Sequence, residues 1–333
     1  MLNHFRADMK RPLIGVGHSM GGNNLVNLSL MHPRLFTTLV LIDPAIQRMP
    51  SKVGNFLLPK SSTNRRDRWP SRQAAQASYK RSKFYQAWDP RVLDLLLKHG
   101  LRDLPTDLYP DVTPASATAP VIGADSSTAT VSPEPSTEKE VTLTTTKHQE
   151  VLTFLRPNFA TKENPSPADN PNPVTHPDVD PDVEPHAPFY SPVSIATFFR
   201  LPFLRPSVLY IFGGQSELSA PASRADKLAT TGTGVGGSGG FKKGRVQQHT
   251  FPDVGHLIPM EIATETADVC AAWIAPEIER WRAVEEAERR EWAAVPRERR
   301  ARLSEEYVRT INSDQLASMR NKNRKEGGMS SKL

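Results

Sequence analysis

The sequence predicts an α/β fold built on a mostly parallel sheet, and three observations lead to this prediction. An apolar run, a helical segment and a second apolar run follow one another within residues 1–44. Two further strand-like runs occur at 207–213 and 245–251. Helical patterns fill much of the chain between and after these runs. Strand, helix and strand in such close succession form a parallel βαβ unit.

The first part of the core is predicted over residues 1–44. The run Pro12–Gly17 is apolar, too short for a helix and bounded by glycine, which predicts a buried strand. Asn23–Met31 is helical and stops before a proline, because the residue preceding proline avoids the helical region. Leu39–Ile42 is a second buried strand, which ends at Asp43.

The middle of the chain divides into two segments of different composition. Residues 45–104 are helical in pattern and rich in aromatic side chains between 69 and 88, as expected for a cap that covers a substrate. Residues 105–187 are rich in Pro, Ser and Thr, and we expect them to be largely disordered. Within them, Val141–Leu143 is strand-like and Glu150–Leu155 is helical.

Regular structure returns over 188–275, the predicted second part of the core. Its strands are Ser207–Gly213 and Arg245–Phe251, and a helix covers Met260–Ile274. The glycine-rich stretch 231–240 is interpreted as a linker, because no strand enters it directly and no Gly-Lys-Ser/Thr closes it. A charged extension occupies 276–333, with a long helix expected to about Asn321.

Composition excludes several classes of protein. The 333 residues carry a net charge of +6 without a recognition motif, which argues against nucleic-acid binding. No apolar run approaches the roughly 18 residues of a membrane span. The single cysteine, Cys270, cannot form an internal disulfide, which favours a reducing compartment. Neither metal-ligand spacing nor a cofactor motif is present, and we expect no cofactor.

The chemistry is concentrated in the run Gly17–Gly21, GHSMG. It follows a predicted strand and opens a predicted helix, the context in which Ser19 would be an exposed nucleophile on a sharp turn. We expect side chains at Gly17 and Gly21 to collide with the neighbouring strand and helix. The backbone N–H of Met20, at the start of the helix, would point at the oxyanion.

These residues resemble the α/β-hydrolase superfamily. Gly15–Gly22 matches its nucleophile elbow, and Asp253–Glu261 resembles its histidine loop after the last strand. The resemblance implies that His256 is the base for Ser19. Within the superfamily, Arg65–Arg72, Trp88–Val92 and the C-terminal tail are similar to fungal hydrolases grouped with toxin biosynthesis and to a peroxisomal lipase.

Two carboxylates are candidates for the acid of the triad. The family can place this acid three residues after a glycine that follows the third strand here, and Glu217 fits when counted from Gly214. It can also place the acid after the second strand, where Asp43 stands. We favour Glu217 slightly and keep Asp43 open.

The family's chain passes through four strands before the elbow, whereas this sequence begins about one helix before it. We therefore expect an N-terminally truncated form, with only the C-terminal half of the hydrolase sheet.

The leading hypothesis is a serine hydrolase acting on an ester or thioester of an apolar acyl chain. The alternative is a catalytically impaired hydrolase-fold protein that binds a partner through the helix after residue 276. Epoxide or haloalkane hydrolysis is disfavoured, because those enzymes usually carry Asp where Ser19 stands. The tail Ser331–Leu333 is a peroxisomal targeting tripeptide, which predicts a peroxisomal location and an import receptor as partner.

Overall fold

The computed structural model describes residues 4–5, 7–48, 54–110, 139–179, 182, 187–191 and 194–313. They belong to two compact units, Met1–Glu277 and Ile278–Leu333. The targeting tail at 331–333, the last part of the predicted long helix and residues 111–138 of the predicted insertion lie outside the described residues.

A four-stranded parallel sheet forms the centre of the first unit. Its strands are β1 (Ile14–His18), β2 (Thr38–Ile42), β8 (Ser207–Gly213) and β9 (Val246–Phe251), and they lie in that order. Every residue of β2 and β8 is buried, as expected for central strands covered on both faces. The predicted α/β fold with a mostly parallel sheet is therefore confirmed.

Alternation along β2 sends side chains into two separate cores. Leu39 and Leu41 pack in one core with Val26 of helix α1 (Met20–Met31) and Phe198 of helix α7 (Ser194–Arg200). Val40 and Ile42 pack in the other core, which includes Trp273 of helix α10 (Ala263–Ala294). Helices therefore cover both faces of the sheet.

The described residues of the segment predicted to be a helical cap form four helices and two short strands. The helices are α2 (Gly54–Asn64), α3 (Arg72–Arg81), α4 (Lys83–Gln86) and α5 (Pro90–His99). Strands β3 (Arg68–Trp69) and β4 (Leu101–Asp103) lie on either side of β5 (Val141–Leu143) in a small antiparallel sheet. The strand-like pattern at 141–143 thus gives a buried strand inside the predicted insertion.

The remaining elements connect these parts. Helix α6 (Lys147–Phe154) packs against α2, and strands β6 (Arg156–Pro157) and β7 (Phe189–Tyr190) pair with each other. Helix α8 (Pro221–Thr230) follows β8, and the short helix α9 (Ile258–Glu261) precedes α10. In the second unit, helix α11 spans Glu305–Ile311.

The long C-terminal helix differs from its predicted bounds. Helix α10 includes Pro276, where a new helix was expected to begin, and ends at Ala294 instead of continuing to about Asn321. Pro276 removes one backbone hydrogen bond and its ring crowds the carbonyl four residues earlier, a cost that packing of the helix on the sheet through Trp273 can offset. Among the described residues, no helix is both long and apolar enough to cross a membrane.

A polar cluster joins α10 to the N-terminal edge of the sheet. The Ser207 hydroxyl donates to Glu277 Oε2 at 2.5 Å, and Arg245 donates to both carboxylate oxygens of Glu277 at 2.8 and 3.2 Å. The indole of Trp273 donates to Thr38 Oγ1 at 2.9 Å. Buried charges of this kind are stable only when they are paired, so the cluster fixes the register of α10 on the sheet.

Candidate active site

Ser19 lies on a sharp turn between β1 and α1. Its φ of 53° and ψ of −119° fall in a region that residues other than glycine rarely occupy. A hydrogen bond to the end of β2 supports the turn, because the Ser19 N–H donates to the Ile42 carbonyl oxygen at 2.9 Å. This backbone geometry matches the strained elbow that the GHSMG run predicts.

Gly17 is closely packed as expected, whereas Gly21 is not. A Cβ on Gly17 would lie 2.7 Å from the Gly21 carbonyl carbon, and one on Gly22 would lie 2.9 Å from Pro44 Cβ. A Cβ on Gly21 would meet nothing within 4 Å. The expected collision at Gly21 is therefore wrong: close packing constrains Gly17 and Gly22, because the helix turns its Gly21 side toward open space.

The structure brings Ser19, His256 and Asp43 into one hydrogen-bonded line. His256, in the loop after β9, places Nε2 2.9 Å from Ser19 Oγ and Nδ1 2.6 Å from Asp43 Oδ2. An ionised carboxylate can only accept, so Nδ1 carries the hydrogen and Nε2 presents its lone pair to the serine. This is the tautomer that a general base for Ser19 requires.

Asp43 is completely buried, with 0% of its surface exposed, and its carboxylate accepts from several donors. Besides His256, Oδ2 accepts from the Ser216 hydroxyl at 2.5 Å. Oδ1 accepts from the Ser219 hydroxyl and from the Gly213 N–H at 3.4 Å. Burial alone would raise the pKa of Asp43, but the hydrogen bonds from His256, Ser216 and Ser219 outweigh burial and hold that pKa below its usual value.

Glu217 stands apart from this line. It begins the 3₁₀ helix Glu217–Ser219 after β8, is exposed, and lines the cavity beside Ser19. The two serines that contact Asp43 flank it, and sequence reasoning missed both of them. Small hydroxyl residues in a loop carry no motif, so only the spacing of three between Ser216 and Ser219 could have suggested a shared face.

Met20 is the first residue of α1, directly after Ser19. The first N–H groups of a helix have no partner within that helix, and they point outward from its N-terminal end. The Met20 amide is thereby aligned with the positive end of the α1 dipole, beside the Ser19 hydroxyl. That the Met20 amide serves as a hydrogen-bond donor to an oxyanion stays a prediction.

His18 supports the loop that carries His256. Its Nε2 donates to the His256 carbonyl oxygen at 2.8 Å, and the two rings lie 4.7 Å apart with an angle of 36° between their planes. Burial, together with the nearby His256, lowers the pKa of His18. A neutral His18 therefore holds the backbone of His256 through this hydrogen bond, and it adds no second positive charge beside Asp43.

A cavity of about 330 Å³ opens at the serine. Ser19 and His256 line one end of it. Most of its wall is apolar, and these side chains are Met20, Leu57, Leu58, Pro59, Phe154 and Leu218. Helices α2 and α6 therefore supply the cover over the serine, and the cavity suits an apolar chain.

The aromatic segment at 69–88, expected to form this cover, does not line the cavity. The ring centroids of Trp69 and Tyr79 lie 5.6 Å apart, and those of Tyr79 and Tyr85 lie 4.6 Å apart. These rings pack in a separate core with Leu97 and Val141. Aromatic side chains gain more from packing together against the small sheet than from facing an open cavity. The expected role of these aromatic residues is thus wrong.

The chain is similar in sequence to several fungal proteins. It is 41% identical over 296 residues to the type I acyl-CoA thioesterase mpaH of Penicillium roqueforti, across 88% of this chain and 64% of the relative. It is 29% identical over 266 residues to the abhydrolase domain-containing protein AFT2-1 of Alternaria alternata, across 80% of this chain and 84% of the relative. No family model matches. The chain thus spans 64% of the length of the thioesterase relative.

Among solved structures, the chain is similar to the peroxisomal α/β-hydrolase Lpx1 of Saccharomyces cerevisiae. The TM-score is 0.49 and the sequence identity 13%, across 96% of this chain and 67% of that one.

Proposed function

We propose that this chain, which belongs to the α/β-hydrolase superfamily, hydrolyses the ester or thioester bond of an apolar acyl group. One observation carries the proposal. Ser19 Oγ, the His256 imidazole and the Asp43 carboxylate are joined by contacts of 2.9 and 2.6 Å beside a mostly apolar cavity. The identity with a protein named an acyl-CoA thioesterase supports a thioester among the substrates.

The proposed reaction has two steps. Ser19 Oγ attacks the carbonyl carbon while His256 Nε2 takes its proton, and the imidazolium then gives that proton to the departing alcohol or thiol. Water then attacks the acyl carbon while His256 Nε2 takes a proton from it, and the imidazolium returns that proton to Ser19 Oγ as the bond to the acyl group breaks and the carboxylic acid leaves. Asp43 keeps the imidazole in the productive tautomer and stabilises its protonated form.

The negative oxygen that develops in each step needs donors. The Met20 N–H, at the N-terminus of α1, is the donor that we propose for it. Removal of one such donor typically lowers turnover by about 10²- to 10³-fold. The apolar wall formed by Leu57, Leu58 and Phe154 would hold the acyl chain by burial of its methylene groups.

A fluorophosphonate probe tests the proposal, because it reacts only with an activated serine. The wild-type protein should be labelled, and Ser19→Ala should abolish labelling. Ser29→Ala is the matched control, since Ser29 is a buried serine whose hydroxyl donates to the Leu25 carbonyl within α1. Absence of labelling in the wild-type protein, or labelling that persists in Ser19→Ala, would contradict the proposal.

The leaving group is then identified by a paired assay. Hydrolysis of decanoyl-CoA is followed with a thiol reagent, and hydrolysis of p-nitrophenyl decanoate is followed by absorbance. A higher kcat/KM for decanoyl-CoA would assign a thioesterase, and a higher value for the nitrophenyl ester would assign an esterase.

We further propose that the protein acts in peroxisomes, in lipid or secondary metabolism. The sequence Ser331-Lys332-Leu333 and the resemblance to fungal hydrolases support this proposal. Import of a fluorescent protein that carries the last ten residues of the chain should require Leu333, so that its removal leaves the fluorescence in the cytosol. Diffuse fluorescence with the intact tail would contradict the location.

A further inference from the structure

The turn after β8 places two buried hydroxyls on one side. Ser216 caps the 3₁₀ helix Glu217–Ser219 by accepting the Leu218 N–H at 3.3 Å. Side chains three residues apart in a 3₁₀ helix point in the same direction. Ser216 and Ser219, which are 7% and 2% exposed, consequently both face Asp43, while Glu217 points elsewhere.

The two hydroxyls restrict how the carboxylate of Asp43 can rotate. Ser216 donates to Oδ2, the same oxygen that accepts from His256 Nδ1, and Ser219 donates to Oδ1 together with the Gly213 N–H. A carboxylate offers about four lone-pair positions, and these four donors occupy both oxygens. Rotation of the carboxylate away from His256 would break contacts on both sides.

A buried ammonium holds the turn itself. Lys227 on α8 is 0% exposed, and its Nζ donates to the Leu218 carbonyl at 3.1 Å and to Ser223 Oγ at 2.7 Å. Leu218 is the residue between Glu217 and Ser219, so this bond fixes the centre of the turn. Burial lowers the pKa of Lys227 to about 8, against the raising effect of Asp43 and Asp226. A buried lysine is costly for stability, which points to a role other than stabilising the fold.

We propose that Ser216 and Ser219 are positioning residues that lock the Asp43 carboxylate onto the His256 imidazole, with Lys227 holding the turn that carries them. The inference rests on the proposed function, because it assigns these residues to the acid of the Ser19 site. It explains why a loop without any motif places two buried hydroxyls against Asp43, with the buried ammonium of Lys227 on α8 beside them.

The pH dependence of activity reports on this arrangement. The charged or titratable groups around Asp43 are His256 from the loop after β9, His18 at the end of β1 and Lys227 on α8. Removal of the serine hydroxyls leaves burial free to raise the pKa of Asp43, so the carboxylate takes a proton at higher pH. The part of the acidic limb of the kcat/KM profile that reports protonation of Asp43 should therefore move to higher pH in the variants.

Ser219→Ala is the sharpest variant, because Ser219 contacts Asp43 but does not line the cavity. We expect kcat for p-nitrophenyl decanoate, and the rate constant of fluorophosphonate labelling, to fall about tenfold with KM unchanged, and Ser216→Ala/Ser219→Ala to lose about a hundredfold. Ser29→Ala, also 2% exposed, is the matched control and should retain wild-type rates. Lys227→Met is the independent variant. We expect it to lose activity and to show the same shift of the acidic limb, while its melting temperature is no lower than that of the wild type.

The outcomes separate the two proposals. An unlabelled wild-type protein overturns the proposed function and this inference together. A labelled wild-type protein whose Ser219→Ala and Lys227→Met variants keep its rate and its acidic limb overturns the inference alone. If Ser216→Ala/Ser219→Ala does not fold, as judged by circular dichroism, the single variants decide.

Discussion

Asp43→Asn tests the proposed acid most directly, because it changes one atom of a fully buried group. In the wild-type protein both carboxylate oxygens are acceptors, and Oδ2 lies 2.6 Å from His256 Nδ1. In the variant, Ser219 and the Gly213 N–H hold the amide oxygen at the Oδ1 position, so the NH₂ group faces Nδ1. Nδ1 must then accept, and Nε2 carries the hydrogen.

The magnitude follows from this change of tautomer. An imidazole protonated on Nε2 cannot take the Ser19 proton, although the 2.9 Å distance between them need not change. Such a substitution in a serine triad lowers kcat by about 10⁴-fold. This corresponds to about 5 kcal/mol in the activation free energy. The assay is the hydrolysis of p-nitrophenyl decanoate, with circular dichroism to show that the variant is folded.

Glu217→Gln is the matched comparison, since it makes the same chemical change at the other candidate acid. Glu217 is exposed and lines the cavity, so we expect kcat to change by about twofold, as is usual for surface substitutions. Loss of the Glu217 charge should change KM rather than kcat, because Glu217 lines the cavity. A loss of about 10⁴-fold in Glu217→Gln, with near wild-type activity in Asp43→Asn, would refute the assignment and the reasoning from this geometry.

Three further predictions concern stability, each measured by urea unfolding. Because the pKa of Asp43 is lowered from 3.8, its contribution to the free energy of unfolding is complete above that pH and lost as pH falls through the lower folded value, so the wild type should lose stability below pH 3.8 more steeply than Asp43→Asn. Lys227→Met should be more stable than the wild type at pH 7, and this advantage should shrink as pH rises past about 8, where the buried amine loses its charge. Arg245→Met deprives the 6% exposed Glu277 of its bidentate partner and should cost about 3 kcal/mol, whereas Arg282→Met, at a surface pair, should cost less than about 1 kcal/mol; equal costs would refute the role of the cluster.

The sheet could be predicted from sequence because its central strands leave little alternative. The unbroken apolar run Val208–Phe212 predicts the strand Ser207–Gly213, and β8 has the same bounds as the prediction. A strand covered on both faces needs apolar side chains at every position, and glycine and proline at its ends mark where it stops. The elbow was predictable for a related reason, since close packing requires glycine at Gly17.

The cover of the cavity could not be predicted in the same way. Its apolar wall joins α2, with Leu57 and Leu58, to α6, with Phe154, and these helices are almost ninety residues apart in the chain. Neither helix has a motif, and their association depends on tertiary contacts alone. The segment at 69–88 attracted the prediction because it is rich in aromatic side chains, yet Trp69 and Tyr79 are buried in a core that includes residues of β5.

The choice between Glu217 and Asp43 shows where counting along a chain fails. Counting three residues from Gly214 reaches Glu217, but a 3₁₀ helix begins there. In such a helix, side chains three residues apart point in the same direction. That period pairs Ser216 with Ser219 and turns Glu217 toward the cavity, whereas the parallel register, Ile42 opposite Ile211, brings Asp43 level with the residues that enter the turn. A carboxylate at the end of β2 is thereby surrounded by donors from β8, from the turn after β8 and from the loop after β9. The position of an acid in such a site is consequently a property of two strands and one turn together, which is why variants of Ser219 and Lys227 test the surroundings of the acid that Asp43→Asn tests directly.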